Sequence, residues 1–99
     1  MPRLIYTPRA RQDLIRLRSF IAEKNLQAAQ RTAKAILESA GLLRRNPKIG
    51  RPVAELPPDF RELVIPFGAA GYLLRYRIVE EQDEVVILAI RPQREAGYE

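Results

Sequence analysis

Four arginines in the last quarter of the chain have the type and spacing to bind an anion. Arg75 and Arg77 lie two residues apart in a strand-like segment, Arg91 ends the next apolar segment, and Arg94 follows it. Side chains two apart on a strand share a face, so we expect these arginines to converge on one face of adjacent strands. A guanidinium binds phosphate or carboxylate through paired hydrogen bonds. The pattern predicts a surface for a phosphate-rich or carboxylate-rich target.

An alternative interpretation is that these arginines form exposed ion pairs with neighbouring carboxylates. The candidate partners are Glu80, Glu81, Glu84 and Glu95. Exposed pairs contribute little stability, whereas clustered like charges are unfavourable until an anion neutralises them. Both interpretations stay open at the level of the sequence, and the clustering favours binding.

Catalysis by this surface would need proton carriers, and these are scarce in the sequence. Metal-free cleavage of RNA requires a base, a cation for the developing charge and an acid. The chain has no histidine and no cysteine, and arginine stays protonated. Glu95 and Tyr98 are the nearby groups that could move a proton. A nuclease would therefore use Arg75, Arg77, Arg91, Arg94, Glu95 and Tyr98, with no metal or cofactor. The composition favours binding over catalysis.

Composition limits the class of protein. The 99 residues predict a single domain, residues 1–99, because longer chains are needed before cores divide. The net charge is +5, and 14 of the 17 basic residues are arginine, which indicates a polyanionic or acidic partner. A GC-rich genome would also enrich arginine. The sequence has neither a membrane-length apolar run nor a secretory leader, so we expect a cytoplasmic protein.

The amino-terminal half predicts a strand followed by two helices. Residues 2–6 read as a short strand, and Thr7 before Pro8 is typical of a helix start. Apolar residues three or four apart predict a helix over about residues 9–24, with Asp13 exposed and weakly paired to Arg9 or Arg16. Asn25 is suited to cap a second helix, over residues 26–45. The two form an αα-hairpin.

The carboxyl-terminal half predicts a three-stranded antiparallel meander. Residues 48–59 contain too many prolines and glycines for a helix or a central strand and are expected to be a loop. Strands follow over residues 61–67, 72–79 and 84–90. Alternation places Tyr72, Leu74, Tyr76 and Ile78 against the helices, opposite Leu73, Arg75 and Arg77. The fold predicted is α+β, an antiparallel sheet with the helices on one face.

Three segments together resemble the RelE/ParE toxin superfamily. They are Phe60-Arg61-Glu62-Leu63, then Gly71-Tyr72-Leu73-Leu74-Arg75-Tyr76-Arg77, then Val85-Val86-Ile87-Leu88-Ala89-Ile90-Arg91. The preceding loop, with Asn46-Pro47 and Gly50-Arg51-Pro52, fits the same pattern. The resemblance implies the toxin of a type II toxin–antitoxin pair and covers nearly the whole chain.

Within this superfamily the residues are closer to the ParE-like branch. RelE-like members are ribosome-dependent mRNA endonucleases and usually carry a catalytic arginine where this chain has Leu73. ParE-like members bind DNA gyrase without enzymatic activity. We therefore expect a gyrase inhibitor acting through Arg75, Arg77, Arg91 and Arg94. An mRNA endonuclease is the first alternative, and a non-toxic nucleic-acid-binding module is the second. Pro92 replaces a common histidine and is expected to bend the tail away from the sheet.

The resemblance also implies a protein partner. Such toxins are neutralised by a small antitoxin, ParD-like or similar, whose acidic carboxyl-terminal segment wraps the toxin in a hetero-oligomer. A basic surface suits that segment, and exposed apolar positions would add affinity. The residues expected to bind the antitoxin are Leu73, Arg75, Arg77, Arg16 and Arg18.

Overall fold

A five-stranded sheet carries the two helices on one of its faces, in a computed structural model that describes residues 1–68 and 70–93. Its strands are β1 (Arg3–Tyr6), β2 (Arg51–Pro52), β3 (Phe60–Phe67), β4 (Ala70–Val79) and β5 (Glu84–Pro92). The spatial order is β1-β5-β4-β3-β2. The α+β architecture and the antiparallel β3–β4–β5 meander confirm the prediction.

Two features of the sheet differ from the prediction. β1 pairs in parallel with β5, so the sheet is mixed. Parallel neighbours need a connection that crosses the sheet, and the helical hairpin after β1 provides it. The segment predicted as loop contains β2, whose two residues pair with Glu62 and Arg61 of β3. Proline is tolerated there because β2 is an edge strand.

The helices begin where the sequence predicts, because each has a capping side chain. They are α1 (Pro8–Ala22) and α2 (Leu26–Leu42). Thr7 Oγ1 accepts a hydrogen bond from the Ala10 amide at 3.1 Å, and Asn25 Oδ1 accepts one from the Ala28 amide at 3.0 Å. Residues 43–45, predicted as helix, instead bond to carbonyls three residues back and form a tighter turn.

The core lies between the helical hairpin and the sheet. α1 packs against β5 and α2 against β3. The largest fully buried side chains are Tyr76, Ile36, Leu43, Ile65, Leu74, Ile87, Ile90 and Val85. Tyr72 and Ile78 pack partly buried against this core, so the predicted alternation of the strand is confirmed. The opposite face of the sheet is not covered by the helices, so its side chains can contact other molecules.

No helix in residues 1–68 or 70–93 is long and apolar enough to cross a membrane.

Candidate functional site

Glu62 lies on the open face of the sheet, directly opposite Arg75 on the neighbouring strand. Arg75 donates to the same Glu62 oxygen, Oε2, from both Nε at 3.2 Å and Nη2 at 2.7 Å. The Glu62 side chain is only 11% exposed. Charge-assisted hydrogen bonds of this kind are short and directional, so Glu62 holds Arg75 in one orientation.

Two further arginines approach the same carboxylate from either side. Arg51 Nη2 lies 3.9 Å from Oε1, and Arg91 Nη2 lies 4.0 Å from Oε2. These distances indicate attraction without a good hydrogen bond. We call Glu62, Arg51, Arg75 and Arg91 the Glu62 cluster. Three positive charges against one negative leave two in excess, so the cluster attracts an anion.

A cavity of about 260 Å³ opens beside this cluster. Its charged lining is Glu62, Arg75, Arg91 and Arg9, and its apolar lining is Leu56, Phe60, Leu73, Leu88 and Ala89. Apolar surface beside guanidiniums lowers the local dielectric constant and strengthens their attraction for an anion. The arrangement suits a ligand that brings an anionic group next to an apolar one.

The predicted convergence of four arginines is found in part. Arg75 and Arg91 meet at Glu62. Arg77 lies on the same face but donates to Asp59 Oδ2 at 2.7 Å, and its guanidinium lies 5.4 Å from the centre of the Phe60 ring. Arg94, Glu95 and Tyr98 lie outside the described residues. In place of the alternative pairing with Glu80, Glu81 or Glu84, Arg75 pairs with Glu62 and Arg77 pairs with Asp59, while Glu84 pairs with Arg3.

The hydrogen bond from Arg77 holds the pKa of Asp59 below its ordinary value. A carboxyl whose pKa is lower in the folded state stabilises the fold above its unfolded pKa, and this contribution is lost as the pH falls through the folded pKa. We expect an NMR titration of Asp59 to show a midpoint below about 3.9, the ordinary value. In Arg77→Gln the midpoint should return toward that value. An unchanged midpoint would mean that Arg77 does not hold Asp59 in solution.

Arg51, Glu62 and Arg9 are site residues that sequence reasoning missed. Arg51 lies in the segment predicted as loop, and Arg9 lies on α1, where the sequence predicts only a weak exposed pair with Asp13. The sequence could have indicated Glu62, because it lies two residues after Phe60 on the same strand and the two side chains therefore share the open face. Its pairing with Arg75 depends on the register between β3 and β4, which alternation does not specify.

A β-bulge decides on which face Arg91 lies. Tyr76 pairs with Ile87 and Arg75 pairs with Ala89, so Leu88 is an extra residue in β5. Strict alternation from Val85 and Ile87 would direct Arg91 toward the helices. After the bulge Ile90 points into the core instead, and Arg91 is exposed on the open face.

Asp13 is buried, so the prediction that it is exposed is wrong. Its side chain is 7% exposed, because its carboxylate is directed at the edge of β5. Oδ2 accepts a hydrogen bond from the Ile90 amide at 3.0 Å, and Oδ1 accepts one from Arg16 Nη2 at 2.5 Å. Arg9 Nε lies 3.8 Å from Oδ2. The predicted ion pairs therefore exist, but around a buried carboxylate.

Pro92 itself remains within β5 opposite Tyr72, whereas the tail that it is expected to bend, residues 94–99, lies outside the described residues. The next residue, Gln93, still donates from its amide to the Gly71 carbonyl at 2.7 Å. Residues two apart on a strand direct their amides to the same side. The Ile90 amide points away from β4 to Asp13, so the missing amide of Pro92 falls on that outer side and interrupts no bond to β4.

The residues expected to bind an antitoxin do not share one surface. Leu73 lines the cavity beside Arg75. Arg16 and Arg18 lie on α1, about 200° apart around the helix. Arg18 lines a separate groove with α2 residues Gln30, Ala33, Lys34, Leu37 and Glu38. A partner that contacts all five predicted residues must reach around the molecule.

Glu62→Gln tests whether the carboxylate holds the cluster together. Because the three arginines are partly exposed, we expect a loss of about 1 kcal/mol in the free energy of unfolding. Glu38→Gln has the same net charge and serves as the control. Urea unfolding at about 20 mM and about 500 mM NaCl should show that salt stabilises Glu62→Gln more than the control, since salt screens the exposed repulsion. Equal salt dependence would contradict the arrangement.

The described residues contain no group of three or more histidine, cysteine, aspartate or glutamate side chains that could hold a metal ion. The chemistry of the site is that of guanidiniums, one carboxylate and apolar surface.

The sequence and the fold are similar to those of known proteins. Residues 4–97 match a family model described as the ParE toxin of the type II toxin–antitoxin system, parDE. A protein named Toxin RelE3 from Caulobacter vibrioides is 40% identical over 84 residues, which cover 85% of this chain and 86% of that protein.

Two solved structures are similar over most of their length. A chromosomal ParDE toxin–antitoxin system from P. aeruginosa aligns with a TM-score of 0.73 at 20% identity, over 95% of this chain and 98% of that chain. The RelBE2 toxin–antitoxin complex from Mycobacterium tuberculosis aligns with a TM-score of 0.65 at 29% identity, over 94% and 100%. The first of these shows the shared fold alone.

Proposed function

Because this chain belongs to the ParE toxin family of type II toxin–antitoxin systems, we propose that it acts by binding its target through the Glu62 cluster. The observation that carries the proposal is the excess of guanidinium charge around one shielded carboxylate, beside a cavity with an apolar wall. This surface can capture an anionic group and hold it by hydrogen bonds.

The chemistry of the described face supports binding over cleavage. Its cations are arginines, which do not release a proton near neutral pH. Glu62 is occupied by Arg75. The Tyr76 hydroxyl lies among the residues of the core and donates to the Pro47 carbonyl at 2.5 Å, and burial raises its pKa further. Neither residue is placed to take a proton from a substrate on this face.

DNA gyrase is the target we propose. The family model carries the ParE description, and the resemblance associates ParE-like members with gyrase inhibition. Leu73, at the position where RelE-like nucleases usually have an arginine, forms part of the apolar wall of the cavity. An apolar wall contributes to holding a protein surface, whereas it supplies nothing to phosphodiester cleavage.

Ribosome-dependent cleavage of mRNA is the second candidate, favoured by the RelE name of a relative that is 40% identical. In that case Arg75 and Arg91 would stabilise the developing phosphorane charge. Proton transfer would fall to Glu95 or Tyr98, with Arg94 as a further cation.

Two assays on the same purified toxin separate these candidates. We expect the toxin to inhibit supercoiling of relaxed plasmid by gyrase and to leave mRNA intact on programmed ribosomes. Arg91→Glu is the binding-deficient control in both assays. Cuts at codon positions, with supercoiling untouched, would overturn the proposal. Normal growth on induction of the toxin alone would favour the non-toxic nucleic-acid-binding module.

A cognate antitoxin is the partner implied by the family. The similar solved structures include toxin–antitoxin complexes. We propose that an acidic antitoxin segment covers the cavity at Leu73 and neutralises the excess charge at Arg75 and Arg91. This arrangement would make the neutralised surface coincide with the poisoning surface.

A further inference from the structure

Asp13 is a shielded carboxylate outside the Glu62 cluster, and it bonds to the backbone of the strand that carries Arg91. Its Oδ2 accepts a hydrogen bond from the Ile90 amide at 3.0 Å, one residue before Arg91. This bond links the middle of α1 to the carboxyl-terminal half of β5, 77 residues later in the chain. A carboxylate on a helix is usually solvated, so its direction toward a strand edge calls for a structural reason.

The reason lies at the edge of β5. The ladder between β1 and β5 ends with the pairing of Tyr6 and Ile87. Beyond it, Thr7 continues the edge, since its amide donates to the Ile87 carbonyl at 3.0 Å and its hydroxyl donates to the Leu88 carbonyl at 3.3 Å. The Ile90 amide is the next donor on that side, and a buried amide without a partner is costly. Asp13 supplies the acceptor in place of a strand.

Besides giving the Ile90 amide a partner, this bond lies where the register of β5 changes. Leu88 is the bulge residue of β5, and the bulge transfers Arg91 to the open face. Asp13 accepts its hydrogen bond two residues after the bulge residue, at Ile90, whose side chain is only 2% exposed in the core. The bond therefore holds the register in which Ile90 points inward and Arg91 points toward Glu62.

Asp13 also approaches a second cation of the site. Arg9 Nε lies 3.8 Å from Asp13 Oδ2, and Arg9 lines the same cavity as Arg75 and Arg91. The Asp13 carboxylate thus interacts with two of the cavity's three arginines. It is linked to Arg91 by the hydrogen bond to the Ile90 backbone, and it attracts Arg9 through its charge.

We propose that Asp13 is a positioning residue for the target-binding site, acting through the Ile90 amide to present Arg91 and through its charge to retain Arg9. The proposal rests on the binding role proposed for the Glu62 cluster. Its physical part, the bond to Ile90, can be tested without any target.

Hydrogen exchange measured by NMR tests the bond directly. In Asp13→Ala the Ile90 amide should exchange at least about 10-fold faster, while the Leu74 amide in the neighbouring strand stays within about 2-fold. Asp13→Asn retains an oxygen acceptor and should keep most of the Ile90 protection. Unchanged protection of Ile90 in Asp13→Ala, or equal losses at Ile90 and Leu74, would overturn the proposal.

A double-mutant cycle tests whether the effect passes through Arg91. We expect Asp13→Ala to weaken gyrase inhibition about 10-fold in the wild-type background and less than about 2-fold in Arg91→Ala. Ile36→Val, a conservative change in the α2 core, is the control for destabilisation and should act equally in both backgrounds. Equal effects of Asp13→Ala in both backgrounds would also overturn the proposal.

The two experiments separate failure of the inference from failure of the proposed function. If Arg91→Ala inhibits gyrase as well as wild type, the target-binding role of the cluster is wrong, and the exchange experiment still decides whether Asp13 holds Ile90. If Arg91→Ala is inactive and Ile90 keeps its protection in Asp13→Ala, the site stands and the inference fails.

Discussion

Arg75→Glu is expected to abolish growth inhibition while the protein stays folded. The substitution places a second carboxylate opposite Glu62, where Arg75 now makes two hydrogen bonds, and reverses the charge offered to an anionic target. Loss of a charged contact in a partly desolvated site weakens binding by about 100-fold or more, equivalent to about 2.7 kcal/mol. The measurements are growth after induction and titration of gyrase supercoiling.

Arg31→Glu is the matched control for this prediction. It makes the same change in net charge at an exposed position of α2, on the helical side of the molecule. Its toxicity should stay within about 3-fold of wild type, because distant exposed charges are screened by salt. Full toxicity of Arg75→Glu, with an unchanged far-ultraviolet circular dichroism spectrum, would move the target-binding site elsewhere.

Tyr76→Phe is expected to lower the free energy of unfolding by about 1–3 kcal/mol, because it removes the partner of the buried Gly50 amide and of the partly buried Pro47 carbonyl. The Tyr76 hydroxyl donates to the Pro47 carbonyl at 2.5 Å and accepts from the Gly50 amide at 2.9 Å. The side chain is fully buried, so water does not replace these bonds. Urea unfolding monitored by circular dichroism measures the loss.

The same substitution should also loosen the site. The hydroxyl holds residues 47–50, which precede Arg51, through its two hydrogen bonds. Arg61 Nη1 stabilises the same segment by donating to the Gly50 carbonyl at 2.6 Å. Tyr72→Phe removes a hydroxyl from the same face of β4 and should change stability by less than about 0.5 kcal/mol. Equal losses in the two variants would show that the bonds to Pro47 and Gly50 contribute nothing specific.

Local rules were enough to predict the elements and most of the core. Thr7, Pro8 and Asn25 specify helix starts through contacts that span three residues. The alternation of Tyr72, Leu74 and Tyr76 specifies which face of β4 is buried, because the pleat has a period of two. Such information is contained in neighbouring residues, so the sequence is sufficient for it.

Of the candidate site, the sequence predicted only that Arg75 and Arg91 lie on the open face. Arg75 was placed correctly by alternation, and Arg91 was placed on the correct face although its strand does not alternate strictly. The partners of these residues were not found, because Glu62 and Arg51 lie in other strands and meet Arg75 only through the pairing registers. Helix periodicity likewise placed Asp13 outside, since it records apolar spacing and not a polar group at a strand edge.

By itself, then, the sequence determined the α+β elements, the buried face of the meander and a basic surface typical of the RelE/ParE toxins. The tertiary structure alone decided which residues pair on this face: Glu62 lies within ion-pair distance of three arginines, and Arg77 pairs with Asp59. It also decided that a bulge at Leu88 directs Arg91 to the open face. The physical reason is that spacing along a chain encodes local geometry. Strand register, parallel pairing and the partner of a buried charge arise from contacts between residues far apart in sequence.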